Sequence, residues 1–182
     1  MDRTETRILD AALEAVAAGA ATMDDIAARA HVGRVTLFRR FGSKDALLRR
    51  LYVREVERFL GRVDAALSEF DDPADRIAEA FVACVREGSR HPLLATVRPG
   101  VALEALAAGD PSPVEVGRRF VAERLEPGHD AAADLLVRLA ITYVLVPSPL
   151  VDATDEAAAR AFARAHLAPI ATASATSAPR AG

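Results

Sequence analysis

Arg34, Arg39, Arg40 and Lys44 lie close together in the chain, interleaved with Val35, Thr36 and Phe38. These residue types suit nucleic-acid recognition. Arginine can donate two hydrogen bonds to a guanine edge, and threonine can contact phosphate or a thymine methyl. Residues 31–50 carry six basic residues against one acidic, a net charge of +5. Residues 51–182 carry 14 arginines against 19 acidic residues, a net charge of −5. The whole-chain charge of −3 therefore hides a local basic patch, and footprints on nucleic acid are local. Lys44 is the only lysine in a chain whose other basic residues are all arginine.

The elements that position these residues are read as helices. Alanine is abundant, Trp is absent and aromatic residues make up 5%, which favours helix over strand. Thr4 or Thr6 is expected to cap a first helix with Ile8, Leu9, Ala12, Leu13 and Val16 on one face, ended near Gly19. Thr22, with Asp25 three residues on, makes a capping-box-like start to a second helix. His31-Val32-Gly33 is the turn, and Arg34 to Phe41 the third helix. On that helix Leu37 and Phe41 point inward, leaving Arg34, Val35, Phe38 and Arg39 outward, flanked by Thr36 and Arg40. A helix that enters the major groove needs this division between a docking face and a reading face. Thr22 and Lys44 stand at helix starts, where free N–H groups attract phosphate. An amphipathic helix pair with a solvated arginine face would show the same periodicity.

Beyond Gly42 and the cap Ser43, a long fourth helix is expected to about Phe70, with Leu48, Tyr52, Val56, Phe59, Val63, Leu67 and Phe70 as its stripe. Asp72-Pro73 opens a fifth, with Ile77, Phe81, Cys84 and Val85 on its apolar face. His91-Pro92 begins a short helix, His91 acting as cap, and Val101 to Ala108 is another. Ser112 with Glu115 caps a helix to about Glu126. The run from Asp130 to Val146 is apolar on most faces and is expected to be buried. Thr154 is expected to cap the last helix, in which Glu156 and Arg160 form an i,i+4 pair. The tail from Ala171 reads as disordered.

A single cysteine excludes an internal disulfide and a cysteine-based zinc cluster. No signal-peptide pattern or membrane-length apolar run stands out, so a cytoplasmic protein without membrane contact is expected. The four histidines are scattered without metal-ligand spacing. No Ser-His-Asp arrangement, phosphate-binding glycine loop or catalytic carboxylate pair stands out, so no enzyme, metal or cofactor is expected. Arg98, Glu104 and Tyr143 lie in or near apolar segments and could lend polarity to a pocket, as ordinary surface or ion-pair residues also would. Phe81 and Cys84 are candidate apolar liners of the same pocket, with a plain packing role for Cys84 as the simpler reading.

Taken together, Thr22-Met-Asp-Asp-Ile-Ala-Ala-Arg-Ala, Val32, Thr36-Leu-Phe-Arg-Arg-Phe-Gly-Ser-Lys44 and Ala46-Leu-Leu resemble the DNA-binding domain of TetR-type transcriptional regulators, over residues 6–55. Leu139 to Pro149 and Ala158 to Arg164 resemble the last two helices of many such regulators. The resemblance implies an all-α homodimer. Residues 1–46 would form a three-helix helix-turn-helix head and 47–170 a ligand-binding and dimerisation body, followed by a tail over 171–182. It implies a DNA-facing set of Thr22, Gly33, Arg34, Val35, Thr36, Phe38, Arg39, Arg40 and Lys44, with dimerisation through the last two long helices. Arg34 and Arg39 are expected at base edges; Thr22, Thr36, Arg40 and Lys44 at phosphates. The chain departs from the family pattern at Phe38, where Tyr is usual, at His31 for the turn glycine, at Gly33 for a Ser or Thr cap, and at Gly42 where proline is common. The function implied is a repressor that binds a pseudo-palindromic duplex operator and is released by a small apolar or amphipathic effector. A dimeric DNA-binding protein without an effector, or an all-helical enzyme or carrier, are the other readings.

Overall fold

A computed structural model describes residues 2–19, 21–96, 99–146, 148–153 and 155–172. It is all-α, with no strand among the described residues. The helices are α1 (Arg3–Ala17), α2 (Met23–Arg29), α3 (Arg34–Phe41), α4 (Lys44–Leu67), α5 (Pro73–Arg90), α6 (Pro92–Thr96), α7 (Pro99–Ala107), α8 (Pro113–Ala122), α9 (Asp130–Leu145) and α10 (Glu156–Phe162). A π-helical turn (Ala163–Leu167) joins α10 to α11 (Ala168–Thr172). Pro169 has no N–H to give, and its ring would crowd a carbonyl one turn back. The widened turn just before it, where the Ala168 amide reaches Ala163, relieves that conflict.

The chain forms two compact units, Met1–Phe59 with Ser89–Val116, and Leu60–Gly88 with Gly117–Gly182. In the first, α1 packs on α2, α2 on α3, and α6 on α1. Its core is Ile8, Leu9, Ala12, Ile26, Leu37, Leu47 and Leu51, all fully buried. In the second, Ala78, Phe81, Val82, Val85, Ala159, Ala163 and Leu167 form the core, with Ile77, Leu136, Leu139, Tyr143 and Phe162 packed against it. Alanines let these helices approach closely. Gly88 of α5 goes further, because a Cβ there would stand 2.5 Å from Cγ1 of Val144.

Helix caps follow the sequence at several points. Thr22 accepts from the Asp25 amide at 3.1 Å, Ser43 from Ala46 at 3.1 Å, Asp72 from Asp75 at 3.0 Å and Ser112 from Glu115 at 3.2 Å. Four expectations need correction. The cap of α1 is Asp2, not Thr4 or Thr6; its carboxylate accepts from the Thr4 and Glu5 amides at 2.9 and 2.8 Å. Thr154 lies outside the described residues, and the cap of α10 is Asp155, which accepts from Ala157 and Ala158 at 2.9 and 3.2 Å. Arg160 pairs through Nη2 with Glu79 of α5 at 3.2 Å, and only its Nη1 meets the Glu156 backbone carbonyl, at 3.3 Å. A bidentate reach to a neighbouring helix is better than an exposed i,i+4 contact. Finally, α9 buries only Ala133 and Val137, while Leu135 is 45% exposed. The second unit covers one side of α9, and the outer side carries Leu135 together with Arg138, which pairs with Asp134 at 2.7 Å. Of the tail, Ala171 is helical and buried, and residues 173–182 lie outside the described residues.

The long helix α4 also differs from its expected stripe. Val63 and Leu67 are buried as expected, but nearer the N-terminus the buried line is Leu47, Leu51, Arg54 and Glu55. Two charges in a core need partners. Arg54 Nη1 lies 2.8 Å from Asp10 Oδ1, and its Nη2 lies 2.6 Å from Glu55 Oε1. Glu55 also faces Arg58 at 3.3 Å and Nε2 of the buried His91 at 3.7 Å. Burial pushes the Glu55 carboxyl up, but hydrogen bonds to His91 and Arg54 and the Arg54 and Arg58 charges outweigh it and leave the group below its ordinary value. His91 does work as a cap, its Nδ1 accepting from Leu93 N at 3.4 Å. No helix among the described residues is long and apolar enough to cross a membrane.

Candidate nucleic-acid interface

The basic stretch folds as α2, a tight turn and α3. Ile26, Ala27 and Ala30 anchor α2, and the Val32 amide reaches back to the Ala27 carbonyl at 3.0 Å. His31 takes φ 49°, a left-handed conformation that glycine would hold with less strain. Gly33 caps α3 in extended backbone and offers no side-chain hydrogen bond. Leu37 is the one fully buried residue of α3, and Val32 and Phe41 pack beside it. Burying that side chain is worth about 1.5–3 kcal/mol, enough to fix which face of a short helix turns outward. Gly42 at φ 75° then stops α3, its amide reaching Phe38 O at 2.8 Å.

The outward face carries what the sequence placed there. Val35 is 79% and Phe38 37% exposed, and Arg34, Arg39 and Arg40 are exposed with them, while Thr36 is half-buried. The Arg34 guanidinium lies over the Phe38 ring, 5.5 Å from its centroid. Phenylalanine at 38 thus keeps the stacking surface while offering no hydroxyl. Arg39, and Lys44 at the first turn of α4, make no ion pair among the described residues. Thr22 is committed locally, since its hydroxyl also donates to the Asp25 carboxylate. Carboxylates hold other members of the set, which nothing in the local sequence indicates. Arg34 Nη1 is 3.1 Å from Asp24 Oδ2, and Arg40 Nη1 is 2.5 Å from Asp2 Oδ2. Asp2 had no signal beyond its place before a helix.

The five candidate ligand residues do not come together as one group. Phe81 and Tyr143 meet edge to face at 5.3 Å, and both touch the Phe162 ring, at 5.8 and 5.3 Å. Cys84, on the same helix as Phe81, is a packed thiol that burial pushes up to about 12, so almost none is thiolate at neutral pH. Glu104 is exposed on α7 and belongs to the other compact unit. Arg98 lies outside the described residues. A cleft of about 330 Å³ opens on the first unit, lined by Arg3, Arg7 and Arg29 and by Asp10 and Glu14. Its mixed charge favours water over an apolar guest. Among the described residues no three His, Cys, Asp or Glu side chains are grouped to hold a metal ion.

This arrangement matches known proteins. A family model described as bacterial regulatory proteins, tetR family, matches residues 8–51. An "uncharacterized HTH-type transcriptional regulator MT1294" of Mycobacterium tuberculosis (strain CDC 1551 / Oshkosh) is 30% identical, over 69% of this chain and 73% of that protein. The crystal structure of the TetR family repressor AlkX from Dietzia sp. strain DQ12-45-1b, implicated in biodegradation of n-alkanes, superposes with a TM-score of 0.69 at 22% identity, covering 91% of this chain and 94% of that one. The fatty acid degradation regulator FadR from Bacillus halodurans gives a TM-score of 0.58 at 16% identity, covering 88% and 98%. At those identities the structural likeness concerns the fold alone.

Proposed function

The chain belongs to the TetR family of bacterial regulatory proteins, and from that premise we propose that it is a dimeric, ligand-responsive repressor acting in the cytoplasm. The family places a DNA-binding helix-turn-helix in the N-terminal unit. The observation that carries the reading is α3 itself, anchored by buried Leu37 and presenting Arg34, Val35, Phe38 and Arg39 to solvent. Its length and exposure suit insertion in a major groove, with Arg39 at a guanine edge and Lys44 at a phosphate.

The dimer is supported by Leu135 of α9 at 45% exposure and by Val146 and Leu150 in the segment after α9 at 55% and 92%, apolar side chains that a second copy would cover. Two heads related by a two-fold axis would read two half-sites of a pseudo-palindrome. The effector is proposed as a small apolar or amphipathic molecule. AlkX and FadR, related in fold, are named for n-alkane and fatty acid breakdown, which fits that chemical class. Binding would shift α4, which runs from Lys44 beside the recognition helix to the buried Leu67 in the second unit, and a coupling of about 1–3 kcal/mol would suffice for release.

The contact of Phe81, Tyr143 and Phe162 rings supports a second reading, in which the body only dimerises. Footprinting on DNA upstream of the protein's own gene tests the DNA reading, and protection that medium-chain fatty acids abolish separates the two. No protection at moderate salt rejects both.

A further inference from the structure

The positive side chains of the recognition face are of two kinds. Arg39 and Lys44 make no ion pair among the described residues, whereas Arg40 is held by α1. Arg40 Nη1 is 2.5 Å from Asp2 Oδ2 and 4.0 Å from Glu5 Oε2, and Arg50 Nε is 3.1 Å from Glu5 Oε1. Asp2 is a fixed partner. Its other oxygen, Oδ1, accepts the Thr4 and Glu5 amides at 2.9 and 2.8 Å, so the start of α1 sets where Oδ2 stands. One carboxylate thus sits between a helix N-terminus and a guanidinium. A DNA phosphate recognised by a helix end and an arginine has the same two partners.

We propose that Asp2 stands in for a DNA phosphate, occupying Arg40 in the free protein and thereby restraining indiscriminate binding to the duplex backbone. The proposal rests on the reading of α3 and its surroundings as the DNA-facing surface. An arginine already paired gains little by exchanging one anion for another, so Arg40 adds little to backbone binding while Asp2 is charged. Arg39 carries no such restraint and is left to the bases. The amide bonds and the Arg40 guanidinium beside Asp2 both hold its carboxyl below the ordinary carboxylate value, so the stand-in is charged at neutral pH.

The test uses the full chain and a labelled duplex of random sequence, with binding followed by anisotropy as KCl is varied. Asp2→Asn and Asp2→Ser remove the charge but keep a capping side chain. Both are expected to bind about threefold to tenfold more tightly at low salt, and to steepen the plot of log K against log salt by about 0.9, one phosphate contact. In an Arg40→Gln background the same substitutions are expected to change neither quantity. Unchanged affinity and slope in both Asp2 variants, or an equal gain without Arg40, would overturn the proposal while leaving the DNA reading in place. Failure of the wild-type chain to bind any duplex at low salt would overturn the DNA reading and this proposal with it.

Discussion

Among the described residues seven large side chains are wholly excluded from water; Ile8, Leu9, Ile26, Leu37, Leu47 and Leu51 lie in the unit that carries α1 to α3, and Val63 lies in the other. The second unit fills its centre instead with alanines, the buried Phe81 and the half-buried rings of Tyr143 and Phe162, and it leaves Leu135 of α9 45% exposed. The contrast shows two ways of satisfying burial. The first unit closes its own core and can hold α3 at a fixed angle without help. The second buries many of its larger apolar side chains only partway, among them Leu136, Leu139, Tyr143 and Phe162.

The largest effect should come from the closed core. Leu37→Ala should cost about 2–5 kcal/mol in denaturant unfolding, because a fully buried leucine leaves a cavity. Leu135→Ala should change stability at low concentration by only about 0.5 kcal/mol, yet weaken self-association seen by sedimentation. Equal losses at the two leucines would break the comparison. A smaller effect is expected where α5 meets α9. Gly88→Ala should destabilise by about 1–3 kcal/mol, since the new methyl meets Val144. Gly61→Ala, with nothing within 4 Å of the new atom, should instead stabilise by about 0.5–1 kcal/mol. Calorimetry on both variants would read the opposite signs.

The third effect is a change of pH dependence. Glu55 sits below its ordinary value of 4.5 in the folded chain. Its contribution is therefore complete above the unfolded value and is lost as pH falls through the folded one. Glu55→Gln should flatten the acid limb of the stability curve, and an unchanged limb would show that the cluster does not hold a proton-linked charge.

How much of this was legible in the sequence depended on distance along the chain. The inward Leu37 and the outward arginines of α3 could be read because one turn of helix fixes them relative to each other. The caps Thr22, Ser43, Asp72 and Ser112 could be read for the same local reason. Arg54 and Glu55 could not, because what allows two charges to be buried is Asp10 on α1 and His91 before α6, both far away in the chain. Arg160 looked paired with its neighbour Glu156, and only folding brings Glu79 within reach. The apolar composition of α9 predicts burial, but composition shows what a helix prefers, not whether the rest of the chain has enough surface to cover it. At the interface the arginines were legible and their restraint was not. Asp2 and Asp24 become part of the site only when α1 and α2 lie beside α3.

The central claim is that α3 reads duplex DNA through Arg39. The most direct measurement is a quantitative footprint of wild type and Arg39→Ala on the protein's own upstream DNA, at moderate salt. Wild type is expected to protect two half-sites about 10 base pairs apart or a multiple of that spacing. Arg39→Ala is expected to lose about 1–3 kcal/mol and its preference at one symmetric base pair in each half-site. Identical protection and base preference in the two proteins, or no protection by wild type, would contradict the account.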